Sequence, residues 1–438
     1  MNREVISDMP TGQEDIALKL VTQAELNDII RKHQMFLMAR PGGARALIRD
    51  RDLSGLSFTG HNLSQSDFTG CIMANTDLTN ANFECATLFG CDFTNAKLVQ
   101  TRLVRSDLRG ADISTADLSK ADLTGADLRE GKTIIKRKLK TPDEMFGPNA
   151  EAGITQFVNS DLTGATLNGA SAGKANFNDA MLKDAKMQGL DLRNASFKGA
   201  DLSNVDLSGS DLRHADFSQA TLINTKLEGT EKTYTNFDLV LTGETQGQDI
   251  IEFELTLDEL LILHTNWVAS GGRQGKQLVL DNTDMRKGPS LAAQRLTALR
   301  AREATFSEMD MRGVEIQGGS IEKSDFRKCL LQNSDLRGTN FKESLFNRAD
   351  LSKANLEPLT IRKQDGISYN IPCNFEKAIM RHVNFSVARL TEANFTGADL
   401  EEANFSNCDL RKADFTGANL AKANFDGALL DGAKIEKK

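Results

Sequence analysis

Residues 116–128 read ADLSKADLTGADL, three copies of a five-residue unit that contains one large apolar residue. The spacing continues on both sides, because every fifth residue from Leu53 to Leu128 is Leu, Phe, Met or Ile at 16 consecutive positions. Neither the 3.6-residue period of a helix nor the two-residue period of a strand can generate this spacing. The pattern therefore predicts a repeat architecture.

Three further tracts carry the same period. It holds at 14 of 15 positions from Phe157 to Leu227, with Ala172 the exception, and throughout Phe306–Leu356 and Phe375–Ile435. The residue two before each central residue is small, the residue directly before it is usually Asp or Asn, and the two that follow are polar or Gly. One unit cannot bury its large residue alone, whereas stacked units can, which predicts a solenoid.

The tandem A-[D/N]-[L/F]-x-x pattern of these tracts resembles the pentapeptide repeat family. The resemblance implies an all-β solenoid, a right-handed quadrilateral β-helix with four pentapeptides per coil and with the central and small residues pointing inward. Adjacent coils would then lie about 4.8 Å apart, the ordinary spacing of strands. We expect two tandem halves of this β-helix, with short capping helices and inserted hairpins.

The phenylalanines support a coil of four repeats, in which residues twenty apart contact each other. Of 23 Phe, 19 occupy central positions, so Phe is predicted to be a core residue and not part of a ligand site. Three series have a spacing of twenty: Phe157, Phe177, Phe197, Phe217 and Phe237; Phe375, Phe395 and Phe415; Phe385, Phe405 and Phe425.

The chain is internally duplicated, since residues 22–53 resemble residues 256–285. Each segment has an amphipathic stretch, then a His with an aromatic residue three positions later, then a pair of glycines expected to end a helix. Thr22 and Thr256 are predicted N-caps, each with a Glu three residues on. The His–aromatic pairs His33/Phe36 and His264/Trp267 are candidate cap-site residues. Packing against the cap is the favoured interpretation, and a pH-sensitive or ligand-contacting cap is the alternative.

These patterns divide the chain into repeat tracts, caps and insertions. The insertions contain similar segments, IIKRK at 134–138 and LTIRK at 359–363, which predict hairpin-like excursions. VLTG and IIEFEL within 239–255 predict a linker hairpin, and 286–305 predicts a basic helix. The predicted boundaries are an extension and capping helix at 1–52, a linker hairpin and second capping helix at 239–305, insertions at 131–155 and 357–374, and repeat tracts at 53–130, 156–238, 306–356 and 375–438.

Composition and motifs argue against an enzyme. No nucleotide-binding, metalloprotease, hydrolase or EF-hand motif occurs, so we expect no cofactor, no metal site and no catalytic residue. Asp and Asn before the centres are expected to satisfy turn amides. Five of six Cys, all except Cys85, stand in the small inward position and are expected to pack like Ala.

The function favoured by the sequence is a non-enzymatic protein-interaction scaffold, whose inserted loops recognise an unidentified protein partner. The candidate partner-binding residues are Lys132, Ile134, Lys136, Arg137, Lys138, Lys140, Arg362 and Lys363. An edge strand protected from aggregation by its charges is the structural alternative for this basic run.

The family that the sequence resembles includes DNA mimics that regulate a type II topoisomerase (gyrase), and such a regulator is the alternative function. Such a mimic requires an anionic rod, but Lys and Arg accompany the acids along these tracts and the net charge is only −8. The same balance argues against direct nucleic-acid binding. No apolar run is long enough to span a membrane, and we expect a cytoplasmic protein, with an exported effector as the alternative.

Overall fold

The computed structural model of the protein describes residues 18–131, 153–362 and 367–435. The chain divides into two compact units, Met1–Gly243 and Glu244–Lys438, which we call unit 1 and unit 2. Each unit has its own continuous apolar core. Regular helices and strands are few, because most of the chain forms coils in which one residue per repeat pairs with the neighbouring coil.

Parallel backbone pairing joins each coil to the next. Asp67 pairs with Thr87, which in turn pairs with Asp107, always at a distance of twenty residues. The amide of Phe68 donates to the carbonyl of Thr87 at 2.9 Å, and the amide of Thr87 donates back to Ser66 at 2.9 Å. The coil therefore contains four five-residue repeats, as the spacing of the phenylalanines predicts.

A β-turn follows each central residue and changes the direction of the chain. After Phe68, the amide of Cys71 donates to the Phe68 carbonyl at 3.1 Å, and Gly70 has a φ of 71°. The Oδ1 atom of Asp67 accepts the amide of Thr69 at 3.0 Å. This contact, repeated along both units, is the turn-satisfying role that the sequence predicts for Asp and Asn.

The cores are built from aromatic ladders. In unit 1, Phe157, Phe177 and Phe197 stack with ring centroids 4.7 and 4.8 Å apart and planes within 5° of parallel. Phe217 continues the ladder at 4.7 Å. These distances equal the spacing of paired strands, so the rings follow the backbone pairing. The two ladders predicted for residues 375–425 are also present, with centroid distances of 5.0 to 5.3 Å.

Buried thiols and hydroxyls in the small inward position are satisfied by the coil below. Each of five cysteines donates its S–H to the carbonyl of a central residue 2.8 to 3.3 Å away: Cys71, Cys91, Cys329, Cys373 and Cys408. Thr101 and Ser210 make the same bond, at 2.8 and 2.9 Å. Burial raises the pKa of Cys71 and Cys373 to about 12, which makes these thiols unreactive.

Two helices precede the coils: α1 at Gln23–Leu37 in unit 1 and α2 at Leu257–Ala269 in unit 2. Both begin with the predicted capping box, formed by Thr22 with Glu25 and by Thr256 with Glu259. Helix α1 is joined to the coils by Gln23, whose side chain exchanges two hydrogen bonds with the backbone of Ser57 at 2.9 and 3.0 Å.

The predicted glycine stop is confirmed in unit 2 and wrong in unit 1. In unit 2, Gly271 and Gly272 follow the end of α2 with φ of 62° and 84°, and their amides donate to the carbonyls of Val268 and Trp267 at 3.1 and 2.8 Å. Helix α1 ends at Leu37, before Gly42 and Gly43. A Cβ atom on Gly43 would lie 2.4 Å from the backbone nitrogen of Phe36, so the returning chain approaches the helix too closely for any side chain. In unit 2 a Cβ atom on Gly275 would lie 2.2 Å from the carbonyl oxygen of Leu263.

Short parallel strands mark where each unit begins and where unit 1 ends. The pairs are β1 (Lys19–Leu20) with β2 (Arg51–Asp52), β3 (Thr221–Leu222) with β4 (Leu241–Thr242), and β5 (Gln248–Asp249) with β6 (Thr283–Asp284). A 3₁₀ helix, Ile250–Glu252, follows β5. The hairpin predicted from VLTG and IIEFEL is therefore wrong, because VLTG pairs with β3 of the preceding coil and IIEFEL begins with the 3₁₀ helix.

The basic helix predicted at 286–305 is also wrong, since this segment forms coils. Leu291 and Leu296 are fully buried central residues, and Arg300 pairs with Ser320. The coil that begins here has one residue more than usual, because Asp284 pairs with Thr305. The extra residue interrupts the period of five, and the sequence pattern is lost at that point.

Each unit loops out one insertion without breaking its coil. Asp112 pairs with Gln156, and Asn340 with Asn374, so the coils close beneath loops of twenty-four and fourteen residues. In unit 2 the predicted hairpin is confirmed: β7 (Leu359–Arg362) pairs antiparallel with β8 (Ser368–Ile371). The corresponding prediction for 134–138 lies outside the described residues.

We expect Phe197→Ala to lower the free energy of unfolding by about 3–5 kcal/mol, because the backbone-paired coil cannot collapse into the cavity. Chemical denaturation with a matched control, Tyr234→Ala, measures this. Tyr234 is 79% exposed, and we expect its loss to change stability by less than about 0.5 kcal/mol. Equal losses for the two variants would contradict the core role of the ladder.

Candidate interaction surfaces

The structure places the predicted site residues in three settings. Lys363 lies outside the described residues, and so does the basic run of the first insertion: Lys132, Ile134, Lys136, Arg137, Lys138 and Lys140. Arg362 is exposed on β7. The two His–aromatic pairs lie on helices α1 and α2 and contact the first coils. The pair His33/Phe36 belongs to unit 1, and Arg362 and the pair His264/Trp267 belong to unit 2.

His33 links helix α1 to the coils of unit 1. The residue is fully buried, its Nε2 lies 3.0 Å from the Ser64 carbonyl, and its Nδ1 accepts the amide of Ala46 at 3.1 Å. The ring stacks on Phe36 with centroids 5.9 Å apart. An Nδ1 atom that accepts an amide hydrogen requires the neutral ring with its proton on Nε2. Burial accordingly lowers the pKa of His33.

His264 repeats this arrangement in unit 2. Its Nδ1 accepts the amide of Leu278 at 3.0 Å, and its ring stacks on Trp267 with centroids 5.8 Å apart. Burial lowers the pKa of His264, while the adjacent backbone of Thr297 acts in the opposite direction. Both pairs thus hold a helix against a coil, which is the packing role. The ligand-contacting role stays a prediction.

Each insertion leaves its coil at a corner where the turn residue of the coil below is a left-handed glycine. In unit 2 the two coils below have Gly318 and Gly338 there, with φ of 64° and 66°. A Cβ atom on Gly338 would lie 2.5 Å from Cβ of Leu359, so the base of the hairpin rests directly on this glycine. In unit 1 the insertion closes at its base, where the amide of Gly131 donates to the carbonyl of Gly153 at 2.5 Å, above Gly110.

The β7–β8 hairpin has one apolar and one polar face. Leu359 pairs with Ile371 and Ile361 pairs with Tyr369, which places four apolar side chains on one face. Thr360 opposite Asn370 and Arg362 opposite Ser368 form the polar face. The apolar face extends past the anchored base, where Tyr369 is 42% exposed. At the tip, Ile367 is 62% exposed.

Sequence reasoning missed a recurrent ion pair between Asp before a central residue and Arg after it. Each Arg donates from Nε and Nη2 to the two carboxylate oxygens of the Asp two residues earlier. Among the described residues nine such pairs occur: Asp107–Arg109, Asp127–Arg129, Asp191–Arg193, Asp211–Arg213, Asp284–Arg286, Asp310–Arg312, Asp325–Arg327, Asp335–Arg337 and Asp409–Arg411. The recurring D-[L/F/M]-R tripeptide in the sequence could have indicated this ion pair.

These bidentate pairs determine what the coil faces present to a partner. The paired guanidinium lowers the pKa of Asp191, Asp211 and Asp409, so these carboxylates stay ionised but carry their counterion with them. Arg193 also lies 3.6 Å from Asp211 of the next coil, which links the pairs into a ladder. Such a surface has little net field, which weakens the interpretation as a DNA mimic.

Metal-binding clusters and membrane-spanning helices are two other features that would indicate a function. Within 18–131, 153–362 and 367–435, no group of three or more His, Cys, Asp or Glu side chains is arranged to hold a metal ion. No helix in those ranges has the length and apolar character needed to cross a membrane.

The buried histidines predict an acid-sensitive fold. Their pKa values are lowered in the native state, so the unfolded chain takes up protons first as the pH falls below about 6.5. The stability that the two neutral histidines contribute is therefore present above that pH and decreases below it. We expect the double variant His33→Gln/His264→Gln to be less stable at neutral pH and to lose less stability on acidification to about pH 5.5, measured by urea unfolding. His61→Gln, at a half-buried position, is the control, and an unchanged pH dependence in the double variant would contradict this role.

Solved structures similar to this chain include HetL, a pentapeptide repeat protein involved in heterocyst differentiation regulation from the cyanobacterium Nostoc sp. strain PCC 7120. It is 25% identical, and the match covers 46% of this chain and 92% of HetL with a TM-score of 0.20. QnrB1, a plasmid-mediated fluoroquinolone resistance protein, is 19% identical over 44% of this chain and 92% of its own, with a TM-score of 0.24. Rfr23 from the cyanobacterium Cyanothece 51142 is 15% identical over 49% and 99%, with a TM-score of 0.10.

A comparison with curated protein sequences finds no match. Two family models do match. "Pentapeptide repeats (8 copies)" covers residues 52–84, 86–129, 160–199, 200–231 and 324–357, and "Pentapeptide repeat region" covers 371–437. Because these models together match more than half of the chain and fall on the coils described above, the chain belongs to the pentapeptide repeat proteins.

Proposed function

We propose that the protein is a non-enzymatic scaffold that binds a protein partner through its two insertions. The observation that carries this proposal is the β7–β8 hairpin, which is anchored at its base and exposes apolar side chains beyond it. A rigidly held strand pair of this kind can add a strand from a partner, with alternate side chains providing specificity.

The coils of the solenoid pair with each other without help from the insertions. Asn340 and Asn374 pair across the second insertion in the same way as Asn374 and Asn394 pair without one, and the Asn side chains continue the ladder at 2.9 Å in both places. The coil is therefore complete beneath the hairpin. Loops without a packing role are commonly binding elements. We assign residues 131–155 the same role, less directly, since the coil also resumes its pairing after them, at Gln156 with Asp112.

We further infer that each unit is a right-handed, four-sided β-helix whose N-terminal end is closed by its helix. The twenty-residue coil and the bonds from α1 and α2 to the first coils support this inference. We place the protein in the cytoplasm, because the buried thiols act as hydrogen-bond donors, a role that suits a reducing compartment.

Deletion of the insertions tests the scaffold proposal. Removing 131–154 joins Glu130 to Thr155. Removing 358–371 joins Glu357 to position 372, which also carries Pro372→Gly, and both deletions restore twenty residues per coil. We expect the double deletion to melt within about 4 °C of the full chain. Partner capture from the native host, quantified by mass spectrometry, should be lost.

Single deletions and a surface variant are the controls. Lys97→Glu, exposed on the coils, should capture the partner as the full chain does. Unfolding of the deletion variants would show that the insertions are structural. Unchanged capture by a folded double deletion would show that the coil faces bind the partner instead.

A further inference from the structure

Phe89 is an aromatic residue on the outer surface of the coils of unit 1. It directly follows the central residue Leu88, and no other repeat from Leu53 to Leu128 has an aromatic residue at this position. Most of the other repeats in this tract have Ser or Thr there, so the coil itself does not require a ring. Phe89 is partly exposed, whereas the phenylalanines of the core ladders are fully buried. Its contacts therefore indicate its role.

The ring of Phe89 touches the base of the first insertion. A Cβ atom on Gly131, the first residue of the insertion, would lie 2.8 Å from Cε2 of Phe89 and 3.0 Å from the carbonyl oxygen of Arg109. Gly131 is itself buried, although it begins a loop of twenty-four residues. The backbone at 131 therefore lies directly on the ring, with no room for a side chain between them.

The guanidinium of Arg109, one coil further along the chain, holds this ring in place. Backbone pairing puts Phe89, Arg109 and Arg129 in one column. The Cζ atom of Arg109 lies 5.4 Å from the centroid of the Phe89 ring, which is a cation–π distance. The same guanidinium donates to both carboxylate oxygens of Asp107, at 2.9 and 2.8 Å, and its Nε lies 3.6 Å from Asp127. A cation fixed by two carboxylates is a rigid neighbour for the ring.

The first insertion turns back over the coils that precede it. Its first residue, Gly131, contacts Phe89, although two turns of the coil separate them in the sequence. The returning leg is held at the coil between them. A Cβ atom on Gly110 would lie 3.3 Å from the carbonyl oxygen of Gly153, and the hydroxyl of the buried Thr155 accepts the amide of Gly110 at 3.0 Å. Both legs of the base are thus fixed, which sets the direction in which the insertion leaves the coil.

The second insertion makes the same contact with the large and the small residue exchanged. In unit 2 the large side chain belongs to the insertion. Leu359 rests on Gly338, and a Cβ atom on Gly318, one coil earlier still, would lie 3.2 Å from Cδ2 of Leu359. In unit 1 the large side chain belongs to the coil, and the insertion contributes Gly131. Both insertions are therefore anchored to the two preceding coils by a large apolar residue against a glycine.

We propose that Phe89 is the positioning residue of the first insertion and holds its base in the single orientation in which the insertion binds a partner protein. This inference rests on the proposed function, because it takes the insertions to be the binding elements. A preorganised loop loses less conformational freedom when it binds, so an anchored base raises affinity without adding a contact to the partner. Phe89 acts through the insertion and does not itself touch the partner.

Hydrogen exchange at the base tests the anchoring. The chain contains 34 glycines, so ¹⁵N-glycine labelling gives an NMR spectrum in which Gly131→Ala identifies the Gly131 amide by its absence. We expect Phe89→Ala to speed exchange of this amide about tenfold, and Phe89→Tyr, which keeps the ring, to leave it within about twofold. The amide of Gly169, which donates to Gln188 at 3.0 Å, is the internal reference and should not change. Unchanged exchange at Gly131 in Phe89→Ala would overturn the proposal.

Partner capture tests the consequence for binding. The probe is the set of host proteins that the full chain captures and that a chain lacking 131–154 does not capture. We expect Phe89→Ala to reduce the captured amount about fivefold. Phe89→Tyr and the surface control Tyr234→Ala should remain within about twofold of the full chain. Phe89→Ala should melt within about 4 °C of the full chain, and if it does not fold, Phe89→Leu, which keeps an apolar side chain without the ring, takes its place.

The two measurements separate failure of this inference from failure of the proposed function. Faster exchange at Gly131 with undiminished capture would overturn the positioning role while the proposed function stands. If the chain lacking 131–154 captures every protein that the full chain captures, the proposed function fails for this insertion and the positioning role fails with it. Faster exchange at Gly131 and Gly169 together would mean that Phe89 stabilises the coils as a whole, which would also overturn the positioning role.

Discussion

The coils are hydrogen-bonded to one another through parallel backbone pairs, so that outside the insertions and the one longer coil each residue lies directly above the residue twenty positions earlier. This constraint converts a one-dimensional pattern into columns of equivalent side chains about 4.8 Å apart. Phe157, Phe177 and Phe197 stack face to face because the backbone leaves them no other neighbour in that direction. The same spacing aligns the thiols and hydroxyls of the small inward position with carbonyls of the coil below.

Stacking at this distance is unfavourable for like charges, and both units contain solutions to that problem. Where Asp211 follows Asp191 in a column, an Arg two residues on binds each carboxylate in bidentate fashion. In unit 2, amides replace carboxylates, and Asn374 donates to Asn340 while Asn394 donates to Asn374, each at 2.9 Å. The outer faces are therefore ordered by electrostatics as strictly as the core is ordered by shape, and they remain nearly neutral.

The sequence predicted those parts of the structure that repeat. Central residues, small inward residues, Asx turns and both capping boxes follow from patterns of five residues or fewer, which are local. The prediction at 286–305 was wrong for two reasons. The central residues Met285 and Leu291 are six residues apart, which breaks the period of five, and a later central residue, Ala301, is small. The contact of Gly338 with Leu359 at the base of the hairpin could not be found in the sequence, because only the stacking of coils brings these residues together. The tripeptides that form the bidentate Asp–Arg pairs are visible in the sequence, but the geometry of the pairs is not.

The closed base of each insertion has a consequence for how such a protein changes over time. Gly131 and Gly153 meet through a single hydrogen bond, and the coil resumes its register at Gln156 as if the loop were absent. The proposed binding role then implies that the length and composition of the loop can change without a compensating change in the backbone pairing of the coils, so that binding specificity evolves while the scaffold stays constant.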